Sequence, residues 1–283
     1  LEGSADDGVV AEDLLLPFWR GPGADFVWDD ALIYMLMTDR FVNGNASNDP
    51  APLPNAAQGA DWMGGDFAGV TAHIEAGTFT DLGVNALWLT PFNTAANGDW
   101  PVEPRGVDPR LGTPEELEAL VDAAHAAGIR VLGDFVVNHV HEDHPYHDEH
   151  PEWFNSGCIC GEANCDWTEH RLECLFRDYM PDVNWKQRNA SEAMIEDVLW
   201  WMETFDLDGG RIDAVKHVDD LAITNLAVRI NERFETVGTD MYLKGETAMG
   251  WAGHDLAANA NEYGTINRYI GENQLDGQAD FVL

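Results

Sequence analysis

Residues 131–140 read VLGDFVVNHV. The run is apolar and rich in valine, and it is too short for a helix of ordinary length, so it fits a strand. Because its apolar residues do not alternate, the strand is expected to be covered on both faces, as in a parallel sheet. Its polar groups, Asp134, Asn138 and His139, gather toward the C-terminal end.

The same grammar extends outward in both directions. Similar runs are ALIYMLM from Ala31, VNALWLT from Val84, LDGGRIDAV from Leu207, MYLKG from Met241 and ADFVL from Ala279. Between the second and third runs, Thr113-Pro114-Glu115-Glu116 supplies an N-cap, a proline for the first helical position and a capping-box glutamate, and Gly128 marks the stop. Leu117, Leu120, Val121 and Ala124 form the inward stripe of that helix. Amphipathic stretches at about Ser191 to Phe205 and Leu221 to Phe234 predict two more helices. Alternating strands and helices imply an α/β fold with right-handed βαβ units, either an open doubly wound sheet or a closed (β/α) barrel. Residues 1–27 look like an arm before the core. About 50 residues rich in His, Cys, Trp and acid follow His139, too many for an ordinary loop, and predict an inserted subdomain.

Composition removes several classes of function. The chain has 283 residues, 45% of them hydrophobic, and 11 tryptophans, enough to bury a large core. Acidic residues number 51 against 15 basic ones, for a formal charge of −36. Nucleic acid is excluded as a partner by that charge, and no apolar run long enough to cross a membrane is present. The few lysines (Lys186, Lys216 and Lys244) suggest a salt-adapted surface, because self-repulsion is screened as the Debye length shrinks from about 30 Å at low salt to about 3 Å at 1 M. An ordinary acidic secreted protein is the alternative.

Polar groups at the C-terminal ends of parallel strands are where such sheets build active sites. Here those groups are Asp134, Asn138 and His139; then Arg211, Asp213, Lys216 and His217; then Glu246. An Arg two residues before an Asp on one strand shares its side and can hold it ionised, as a nucleophile requires. A Glu on the adjacent strand can face it, and retaining glycosidases need two carboxyl groups about 5–5.5 Å apart. Taken singly, Arg211 and Asp213 read equally well as a buried ion pair, and Glu246 as a loop cap.

DFVVNHV, GRIDAVKHV and KGET together resemble the first three ordered motifs of the α-amylase family, in the family's order, and the likeness runs from about Ala31 to the end of the chain. The resemblance implies a (β/α)8 TIM barrel, incomplete at about six strands, formed by 28–139 and 186–283, with a small B-like inserted domain at 140–185 after the third strand. It implies Asp213 as nucleophile, Glu246 as acid/base and Arg211 as holder of the nucleophile. His139 would bind the sugar at the cleaved bond, and Lys216 and His217 would line the leaving-group side. MPDVNW at Met180 resembles a further family motif, which implies Ca2+ held by Asn138, Asp182 and the His217 carbonyl, with Glu173 a further candidate. Asn138 and Asp182 carry the hard oxygens that Ca2+ prefers, though such groups also brace loop backbone. NGNASND, with Asn43, Asn45, Asn48 and Asp49, and later Gly64 and Asp66, reads by composition as a tight turn. It resembles a second calcium loop of cyclodextrin-processing members.

Cys158, Cys160, Cys165 and Cys174 all fall in the insertion, as two disulfides of open connectivity or a four-thiolate zinc site. Disulfides fit a secreted polysaccharide hydrolase better. Two features depart from the family pattern. The third carboxylate, an Asp after a His near the seventh strand, would lie beyond Leu283, as in a fragment. Where many members place a His and a Tyr against the sugar, this chain has Asn97 and Asp99, with Trp100 beside them as a substitute platform. The expected activity is hydrolysis of α-1,4-glucosidic bonds in α-glucan; the alternatives are a neopullulanase-like or cyclodextrin-processing enzyme, a transglycosylase, or a non-catalytic glycan-binding protein or inactive fragment.

Overall fold

The structure is a computed structural model describing residues 23, 25–54, 56, 59, 61–96, 100–235, 240–249 and 257–279, without the side chains of 96, 100 and 101. Six strands form one parallel sheet in chain order: β1 (Ile33–Leu36), β2 (Ala86–Leu89), β3 (Arg130–Phe135), β4 (Gly209–Ile212), β5 (Tyr242–Gly245) and β6 (Gly277–Gln278). The sheet curls into part of a barrel, with β1 and β6 as its two edges among the described residues, so the barrel form rather than a doubly wound sheet is the one adopted. Among the described residues the last strand is Gly277–Gln278, in register with Lys244 and Gly245 and just before the expected run from Ala279. Residues 280–283 lie outside the described residues.

Helices α1 (Phe67–Glu75), α2 (Pro114–Ala126), α3 (Arg188–Thr204), α4 (Asp220–Phe234) and α5 (Ala260–Asn267) connect the strands. The predicted cap of α2 is present: Thr113 accepts from the Glu116 backbone, Glu116 accepts from the Thr113 backbone, and Pro114 opens the helix. Leu117, Leu120, Val121 and Ala124 are its buried stripe. α3 starts at Arg188, a few residues before Ser191, and buries Met194, Ile195, Val198 and Trp201 in the common core.

The strands nearest the site are less uniform than their apolar runs imply. Asp134, Arg211 and Lys244 are register partners across β3, β4 and β5, and Trp88 of β2 donates to Asp134, so these four share the concave face. Phe135, Ile212 and Leu243, one residue along or back, turn the other way and join the hydrophobic core. That alternation is the period-2 rule of a strand, and it separates chemistry from core within four-residue segments.

The end of the predicted arm is pinned to the sheet: Arg130 donates to the Gly23 carbonyl at 3.1 Å and its guanidinium lies 4.7 Å from the Phe26 ring centroid. In the 140–185 segment, Phe154–Asn155 pairs with Asp182–Val183, and Asp182 bridges to His139 beyond the end of β3. Disulfides join Cys158 to Cys165 and Cys160 to Cys174, which sets the zinc alternative aside. Among the described residues no helix is long and apolar enough to cross a membrane.

Candidate active site

Arg211 organises the site. Its Nη1 lies 2.6 Å from Asp134 Oδ1 and 2.7 Å from Asp213 Oδ1, while Nη2 meets Glu246 Oε2. One guanidinium, 10% exposed at its side chain, therefore touches three carboxyl groups from three strand ends. Its planar fork of donors makes this possible. Backbone bonds fix the carboxyl-bearing residues: Asp213 N donates to the Phe135 carbonyl at 2.9 Å and Glu246 N to the Ile212 carbonyl at 3.0 Å. Ala214, at φ 49°, takes the left-handed conformation that turns the chain out of β4 immediately after Asp213.

The carboxyl groups differ in environment. Burial raises Glu246 above the usual carboxylate range; Arg211 lowers it, and the charge and hydrogen bond of Asp213 raise it. Asp134 is pushed up to about 7 by burial, against the lowering effect of Arg211 and of the Trp88 indole, whose Nε1 donates to Oδ2 at 3.0 Å. One carboxyl group with a proton to give beside another held by a cation is the division of labour that acid-assisted nucleophilic displacement uses.

A cavity of about 530 Å3 opens over this pair, lined by Asp213, Glu246, Lys216, His217, Trp167, Phe176 and neighbours. Lys216 and His217 share this lining with the two carboxyl groups. His217 is anchored through Nδ1, which donates to the Arg171 carbonyl at 3.0 Å, and burial lowers its pKa to about 4. His139 is 2% exposed and packed on Phe176, with ring centroids 5.2 Å apart. Phe176, itself packed against the Cys160, Cys165 and Cys174 cluster of the insertion, lies over it. Trp100 forms part of a short antiparallel pair with Ala95–Ala96, but its side chain, like Asn97 and Asp99, lies outside the described residues.

At the junction of barrel and insertion, Asn138 Nδ2 donates to Asp182 Oδ1 at 3.1 Å and Asn155 Nδ2 to Asp182 Oδ2 at 2.8 Å. Asn138 Oδ1 is buried without a hydrogen-bond partner, and Glu173 adds negative charge near Asp182. A cavity of about 200 Å3 lies alongside, lined by Asn155, Glu173 and His217 among others. An orphaned amide oxygen beside a buried carboxylate is a donor set that fits a hard cation.

The Asn43 loop divides. Asn43 Nδ2 donates to Asp49 Oδ1 at 2.7 Å, Gly64 sits against both side chains at φ 79°, and both amide atoms of Asn48 are buried without partners. Asn45 Oδ1 is taken by Ser47. Asp66 is committed elsewhere. It caps α1 through Gly69 N at 2.7 Å and accepts from Gly44 N and Asn45 N at 2.7–3.1 Å, so backbone donors occupy its carboxylate as it stands.

The α-amylase catalytic-domain family model matches residues 35–248. The chain belongs to the α-amylase family. The β/α-amylase of Paenibacillus polymyxa is 30% identical over 213 residues, covering 68% of this chain and 17% of that protein. The cyclomaltodextrin glucanotransferase of Paenibacillus macerans is 26% identical over 247 residues, covering 74% and 34% respectively. The chain thus spans 17% and 34% of the length of these two curated relatives. Among solved structures, the α-amylase of Geobacillus thermoleovorans in complex with acarbose superposes with a TM-score of 0.71 at 28% identity, covering 90% of this chain and 52% of that one.

Two neighbours of the family's carboxyl groups escape motif reading. Trp88 and Lys244 flank the Arg211 cluster, with Lys244 Nζ 4.2 Å from the Trp88 ring centroid. The available signal was spacing: Lys244 precedes Glu246 by two residues as Arg211 precedes Asp213.

Proposed function

We propose that this chain is part of the catalytic domain of a retaining enzyme that cleaves α-1,4-glucosidic bonds in starch-like α-glucans. The observation that carries the reading is the shared contact of Asp213 and Glu246 with Arg211 under one open cavity, with Glu246 raised toward its protonated form. Asp213 attacks the anomeric carbon while Glu246 gives its proton to the departing glycosidic oxygen. The glycosyl-enzyme bond is then broken by water, whose proton returns to Glu246. Lys216 and His217 flank the leaving-group side. Interception by a sugar hydroxyl instead of water is transglycosylation. The likeness to a glucanotransferase and the Asn43 loop favour that second reading.

Calcium suits the junction. Asn138, Asp182, Glu173 and the His217 carbonyl would hold it and tie the insertion to the barrel, and Asn43, Asn48, Asp49 and Gly64 would hold a second ion. The strong acidity also supports an extracellular, salt-adapted protein.

Product analysis on starch, pullulan and cyclodextrins, with this chain and with a C-terminally extended form, tests the assignment. α-Configured products from starch support it. Products of inverted configuration, or no glycosyl adduct on Asp213 with an activated glucosyl fluoride, reject it.

A further inference from the structure

One cation of the concave face takes no part in the chemistry above. Lys244 projects from β5 into the same layer as Asp134 and Arg211, with which it is in register, and its ammonium rests 4.2 Å from the centre of the Trp88 ring. The same ring lies 5.5 Å from the Arg211 guanidinium, and its indole Nε1 donates to Asp134 at 3.0 Å. Trp88 therefore holds two cations by its π face and one carboxyl group by its edge.

We propose that Lys244, seated on Trp88, is a positioning residue of the active site: it supplies the second cation beneath the carboxyl groups and so limits the pH range over which Glu246 carries its proton. This rests on the reading of Asp213 and Glu246 as the catalytic pair.

Charge counting supports it. Asp134, Asp213 and Glu246 all touch Arg211, so one cation faces three carboxyl groups. With Lys244 counted, two cations face the cluster. Without Lys244, Arg211 alone opposes it, and Glu246 holds its proton to higher pH. The groups facing Lys244 from each packed strand are Trp88 of β2, Asp134 of β3, Arg211 of β4 and Glu246 at the end of its own strand. From β6 its register partner is Gly277, which has no side chain. Burial and Arg211 lower the Lys244 ammonium below the usual lysine range, and Asp134 and Glu246 act against them, so the interaction with the carboxyl groups is mutual.

The test compares wild type, Lys244→Met and Lys244→Arg. In the complete enzyme, kcat/KM is followed against pH; in the present chain, the Glu246 carboxyl is titrated by 13C NMR, which needs no turnover. Loss of the cation is expected to move the Glu246 limb of the pH profile, and the Glu246 midpoint, upward by roughly half a unit to one unit, with Lys244→Arg staying close to wild type. Lys244→Gln serves as a second neutral variant if the methionine form does not fold. An unmoved Glu246 midpoint in a folded neutral variant overturns the proposal, as does an arginine variant displaced as far as the neutral ones. Failure of the wild type to act on any α-glucan rejects the catalytic reading alone, since the titration still decides whether Lys244 governs Glu246.

Discussion

The strand ends of β3–β5 and the insertion at 140–185 hold their functional groups by different means. At the strand ends, adjacent parallel strands set Asp134, Arg211 and Lys244 side by side, and backbone bonds carry that register on to Asp213 and Glu246. A large core of leucine, isoleucine, valine and aromatic side chains backs those strands. The insertion's own small cluster consists of Cys160, Cys165 and Cys174 with Phe176 packed on it, and two disulfides close its loops. Groups whose charges are buried together need the rigid frame, because a small displacement leaves a carboxylate unpaired in a dry environment. A cleft wall needs only its shape, which covalent links preserve where apolar burial is scarce.

Four substitutions or changes of condition probe that contrast, beginning with the largest effect. Asp213→Asn or Glu246→Gln in the complete enzyme is expected to lower kcat by about a thousandfold or more with the fold retained; kinetics and circular dichroism check this, and activity within tenfold of wild type would break the assignment. Arg211→Met leaves three carboxyl groups without their shared cation and is expected to destabilise the chain by about 3–5 kcal/mol in urea unfolding. A cost near zero would mean that register alone holds the cluster.

Replacing Cys160 and Cys174 by serine is expected to cost about 2–4 kcal/mol, and the loss should be local. Hydrogen exchange should quicken between 156 and 176 while β3–β5 keep their protection; simultaneous loss in both would erase the distinction between the regions. The gentlest probe is pH. Asp134 has its folded-state value raised to about 7 from an ordinary 3.8, so the native chain binds the extra proton between those limits. Its contribution is fully present below the lower value and is lost as pH rises through the higher one, with a slope of at most about 1.4 kcal/mol per pH unit. Asp134→Asn should flatten that slope, and an unchanged slope would place the proton on another group.

Much of the frame was legible from local patterns. Thr113-Pro114-Glu115-Glu116 is a cap that works through neighbours in the chain, and it forms as read. Arg211 and Asp213 share a face because strand side chains repeat every second residue, and they meet at 2.7 Å. Other features depend on residues distant in the chain. Phe176 covers His139 from 37 positions away, and the backbone amides of Gly44 and Asn45 that occupy Asp66 lie 22 and 21 positions before it. Neither contact leaves a signal in spacing. The expected strand from Ala279 lies almost wholly outside the described residues, and the register with β5 begins two residues earlier, at Gly277.

The sequence by itself determined the family, the succession of strands and helices, and the two carboxyl-bearing segments at strand ends, because those rest on short-range periodicity and contiguous motifs. Tertiary structure alone decided that Cys160 joins Cys174, that one guanidinium serves Asp134, Asp213 and Glu246 together, and that Lys244 settles on Trp88. These are matters of three-dimensional proximity between separate strands and loops, set by the curl and register of the sheet.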